Sequence, residues 1–181
     1  MKRPLENNFK KTSAIALSGV ISALCFVVMY IAAVTEVFDL SGMVLCSMIM
    51  IVAVIEIGKY YPWLIWLVTG TLCILLIPKK DVALEFVLFG GIYPMMKSYF
   101  ERLPQIPSWI LKIVFFNAVF TGWFFLSSRL FGLDVGMTLG VIAYLAANFF
   151  FVLSDICFTM MVSFYLSKLR PRLKFGRKNK K

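Results

Sequence analysis

Asp155 occupies the most costly position in this 181-residue chain. It interrupts an apolar run thirteen residues before Lys168, about 19 Å along a helix that rises about 1.5 Å per residue. In hydrocarbon a lone charge at that depth costs roughly a few to more than ten kcal/mol, so the carboxyl must be neutral, paired or wet. Tyr144, Asn148 and Thr159 share its side of a helix at this spacing. Asn117, in the preceding apolar run, lies at comparable depth, so an Asn117 to Asp155 clasp competes with proton, ion or substrate handling. Glu85 stands about one helical turn beyond the Lys79-Lys80-Asp81 loop. Together with Glu36, Asp39, Lys79, Lys80 and Asn148 it could line a pocket whose floor is Tyr144. The lysine pair suits an anionic substrate, and lipid phosphate or Glu85 would satisfy it equally well.

Other chemistry is scarce. Histidine is absent, which removes the commonest general base and metal ligand. The sequence has no HExxH, no GxSxG and no GxxxxGK[ST]. Glu85 and Asp155 fall at different depths, which disfavours an acid and base pair; no enzyme activity and no cofactor are expected. Cys25, Cys46, Cys73 and Cys157 lie in apolar segments without a CxxC pair. They read as small buried hydrophobes, not as a metal site or a disulfide framework.

These residues have to be positioned by helices in a membrane. Hydrophobic residues make up 61% of the chain and charged ones 15%, with a mean hydropathy of +0.87, far from the balance of a soluble domain. Apolar stretches at residues 13–34, 42–57, 63–77, 82–99, 108–130 and 136–168 predict an all-α, polytopic bundle of six transmembrane helices. Lys10 and Lys11 before the first stretch, and eight basic residues from Lys168 to Lys181, put both termini in the cytoplasm. The expected organisation is a basic lead at 1–12, a membrane domain at 13–168 and a basic tail at 169–181. The net charge of +10 thus reads as an anchor on anionic lipid, not a nucleic-acid surface.

Two helices carry further signals. In the fourth, Pro94 cannot donate to the carbonyl of Gly90 and crowds it, so a kink at Gly90 and Gly91 is expected. In the first, Ala16, Gly19 and Ala23, with Ser18 and Ser22, form a smooth side opposite Leu17, Val20, Leu24 and Val27. Small residues let helix backbones approach closely in lipid, and either another helix of this chain or a separate subunit could use them.

Six spans within about 180 residues, both ends inside and a small-residue first helix resemble the substrate-binding membrane subunit (S component) of energy-coupling factor (ECF) transporters. The resemblance implies that Ala16, Gly19 and Ala23 dock on a transmembrane coupling subunit driven by two ATPases. It also implies that the outer helix ends bind a vitamin-like small molecule. An integral membrane scaffold of a cell-envelope complex is the competing expectation, being similar in size and span count.

Overall fold

A computed structural model describes residues 4–35, 38–58, 60–131 and 137–170; of residues 4–11, 127–131, 137–139 and 169 it describes the backbone alone. The described residues are all-α and form six helices, the fourth of them broken. They are α1 (Pro4–Thr35), α2 (Asp39–Glu56), α3 (Tyr61–Leu76), a broken helix made of α4 (Lys80–Glu85), a π-helical turn (Phe86–Gly90) and α5 (Tyr93–Phe100), then α6 (Gln105–Phe131) and α7 (Met137–Phe164). A second π-helical turn, Tyr165–Leu169, continues α7.

Four of the helices are long and apolar enough to cross a membrane: Thr12–Thr35, Asp39–Glu56, Gln105–Leu126 and Gly140–Lys168. Tyr61–Leu76 is apolar but shorter, 16 residues or about 24 Å. Boundaries shift from the sequence expectation where caps decide them. The helix expected from residue 108 begins at Gln105 and takes Pro107 into its first turn, where a missing N–H leaves no bond unmade. Pro62 opens α3 in the same way. Gly58, at φ +95°, supplies the left-handed residue just beyond α2 that reverses the chain toward α3.

Residues 1–135 and 136–181 are two compact units. In the first, α1 packs along both α2 and α3. Its inward side is Ser18, Ile21, Ser22, Cys25, Met29, Ala32 and Ala33, a stripe at steps of three and four. Cys46, Met50 and Ala53 of α2 and Ile65 and Cys73 of α3 complete the centre. Cysteines 25, 46 and 73 are buried as small hydrophobes, and the Cys46 thiol donates to the carbonyl of Cys25 at 3.2 Å. Cys157 departs from the expectation and is exposed, because it lies on the outward side of α7. Among the described residues of the second unit, Phe151, Asp155, Phe158 and Tyr165 are buried, again at helical spacing.

α2 comes close to α1 at Gly42, where an added Cβ would collide with Ala32. Nothing stands within 4 Å of the same position at Gly19. Gly42→Leu should therefore lower stability by about 1–3 kcal/mol through overpacking. Gly19→Leu should be neutral or stabilise slightly through helix propensity. Thermal unfolding of the detergent-purified variants by circular dichroism checks this, and equal melting temperatures would refute it.

Candidate functional site

The interruption of the fourth helix positions the charged groups above and below it. Gly91 N–H bonds to Phe86 O at 2.8 Å, five residues back. Val87 O thereby loses the donor an α-helix would give it, and Gly90 O has none because Pro94 lacks an N–H. Neighbouring helices supply both missing donors. Trp66 Nε1 of α3 donates to Val87 O at 3.0 Å, and the Ser47 hydroxyl of α2 reaches Gly90 O at 2.9 Å. Side chains at the two glycines would obstruct this: a Cβ at Gly91 collides with the Trp66 indole, and one at Gly90 meets Met43 Cγ at 2.9 Å.

Above the break, at the end of the unit where α2 begins, lie Asp39, Lys79, Lys80, Asp81 and Glu85. Lys80 Nζ donates to Ile74 O at 2.6 Å and Ile77 O at 2.9 Å, closing the carbonyl end of α3. Lys79 Nζ stands 3.6 Å from Asp39 Oδ2, a partly exposed pair that is worth at most about 1 kcal/mol. Glu85 lies within electrostatic reach of Asp81 and Asp39. Its Oε2 is buried without a hydrogen-bond partner, as is Asp39 Oδ1. The indole N–H of Trp123 is in the same condition, on α6, against which α4 packs. Two carboxylate oxygens, Glu85 Oε2 and Asp39 Oδ1, are thus buried without a partner at this rim.

Below the break, Lys97 and Lys112 are only 2% and 4% exposed. Both reach Glu101 Oε1, at 2.7 Å and 3.4 Å, across the turn that joins α5 to α6. Lys112 Nζ also lies 5.2 Å from the Trp109 ring centre, a cation–π contact. Neither these two lysines nor Glu101 was among the candidates read from the sequence. The available signal was the i,i+4 spacing of Lys97 and Glu101 beside a lysine placed inside an apolar helix.

Tyr144, Asn148 and Asp155 lie on α7 in the second unit, whereas Lys79, Lys80 and Glu85 belong to the first. Asp155 is 1% exposed, and its main-chain carbonyl accepts from the Thr159 hydroxyl at 2.9 Å. The Asn148 amide donates to Tyr144 O and that of Asn117 to Ile113 O, each at 2.9 Å within its own helix. Glu36 and the tail from residue 171 lie outside the described residues. Among the described residues no group of three or more Cys, Asp or Glu has metal-binding geometry.

Glu101→Gln keeps the shape of the hub and removes the charge that both lysines face. It is expected to cost about 1–2 kcal/mol, a moderate figure because Glu101 itself reaches solvent. Thermal unfolding reads this, and a melting temperature unchanged within a degree would deny the hub a stabilising role. The chain matches no family model, no curated protein and no solved structure at a significant level.

Proposed function

We propose that this protein is the membrane-embedded substrate-binding subunit of a micronutrient uptake transporter, working with a separate coupling subunit and ATPases. Its place is the bacterial plasma membrane, with six spans and both termini cytoplasmic. The broken helix and α3 complete the set with the four long apolar helices. At 21 residues, the segment 80–100 is about 31 Å long, enough for a hydrocarbon core of about 30 Å.

The observation that carries this reading is the division of α1 into two sides. Ser18, Ser22, Cys25 and Met29 are used for packing within the chain, whereas Ala16, Gly19 and Ala23 are exposed. Small residues left uncovered between the exposed side chains of Ile15, Val20 and Leu24, on the half of α1 read as cytoplasmic, suit close approach by a second membrane subunit with those larger side chains at the edge of the contact. At the other end of the helix bundle, the rim of Asp39, Lys79 and Glu85 offers the polar contacts a small substrate needs. Lys80 contributes by holding the end of α3 in place.

Gly19→Leu and Ala23→Leu together should abolish recovery of the coupling subunit and ATPases from native membranes while leaving small-molecule retention within about twofold. Native mass spectrometry of the purified protein and its co-purified partners measures both. Repeated recovery of envelope proteins alone, with no small molecule, would overturn the reading in favour of a scaffold.

A further inference from the structure

The turn from Phe86 to Gly91 contains one residue more than an α-helix needs, and the groups that hold it there belong to other helices. With Gly91 N–H committed to Phe86 O, Val87 O depends on the indole of Trp66. In an uninterrupted α register Gly91 N–H would return to Val87 O, and Trp66 would lose its acceptor. Gly90 O is indifferent to the change, since Pro94 has no N–H in either register and Ser47 serves it in both. The Ser47 hydroxyl also lies 3.0 Å from Met43 O, so it has a second acceptor in its own helix.

Passing from the π to the α register moves every residue before the turn on by one place, a rotation of about 100° and a rise of about 1.5 Å. Val82 would take the place of Asp81, and Glu85 that of Leu84. Each register has something in its favour. Here Val82 and Phe86 are almost fully buried, whereas Phe86 would otherwise move to the half-buried place of Glu85. Against this, Glu85 Oε2 is buried here without a donor. The outer turn is tied to α3 by Lys80, whose Nζ donates to Ile74 O and Ile77 O, and to α2 by the partly exposed Lys79 to Asp39 pair; both are long, flexible side chains that can follow a displacement of about 1.5 Å.

We propose that residues 80–90 are a two-register element, in which the Trp66 to Val87 hydrogen bond selects the π register and its loss lets the outer turn advance by one residue. Advancing turns Glu85 away from Asp39 and brings Val82 to the rim. The device follows from the hydrogen-bond accounting of one helix and does not rest on the transporter reading.

Val82→Cys in a Cys157→Ser background reports the register, because the other three cysteines are buried. Reaction of the detergent-purified protein with a polar maleimide should be slow, and adding Trp66→Phe should accelerate it at least tenfold. Adding Ser47→Ala instead removes a bond common to both registers, so it should lower the melting temperature without accelerating the reaction. If Trp66→Phe does not fold, Trp66→benzothienylalanine, of the same shape and without the N–H, is read in the same way. A rate within twofold of the parent for the folded Trp66 variant, or an equal acceleration by Ser47→Ala, would overturn the proposal.

Discussion

Two main-chain carbonyls, those of Val87 and Gly90, set the constraint on which the first unit depends. Gly90 is buried and Val87 partly so, and a carbonyl left there without a donor costs about as much as a lost hydrogen bond. The helix cannot provide the donors itself, because Pro94 has no N–H and Gly91 N–H is engaged five residues back. α2 and α3 therefore have to stand where Ser47 and Trp66 can reach. Both also pack on α1, and the close contact of Gly42 with Ala32 brings α2 near enough for the arrangement to close. The small residues of α1 and α2 and the broken fourth helix are parts of one solution.

The charged residues are distributed around that break according to how much water each can reach. Lys80 and Lys79, near the surface, take helix carbonyls and a partly exposed aspartate. Lys97 and Lys112, nearly devoid of solvent, converge on a glutamate that keeps one side in water. Such a hub gives two buried lysine side chains a common carboxylate partner while that carboxylate stays in contact with solvent. Glu85 and Asp39 differ in having a carboxylate oxygen buried without a donor, and polar atoms in that condition carry the highest cost per atom in an apolar setting. They are consequently the places where a bound group, or a change of register, has the most to gain.

How much of this could be read in advance varies from residue to residue. Apolar stretches of 18 residues or more announce themselves, and α1, α2, α6 and α7 lie where composition put them. The proline and glycine pair located the stretch in which the fourth helix changes its hydrogen bonding, since a missing N–H is a local property of Pro94. The sequence did not show which groups would answer the orphaned carbonyls. Ser47 and Trp66 lie 43 and 21 residues away from their acceptors, and nothing in their own surroundings marks them. Lys112 escaped notice for the same reason, its partner being eleven residues back across a turn.

Hydropathy and backbone chemistry belong to residues and their near neighbours, and so the helical class, the apolar spans and the weak point at Gly90, Gly91 and Pro94 were determined by the sequence. The division of α1 was decided only in the tertiary structure. Ser18 and Ser22 turn inward while Ala16, Gly19 and Ala23 face out, although all five are small and share one half of the helical wheel. Which small residues are covered depends on where α2 and α3 cross, and that crossing is set by contacts between residues far apart in the chain. The same holds for Lys79 and Lys80, adjacent and alike in charge, one on a carboxylate and the other on the end of a helix.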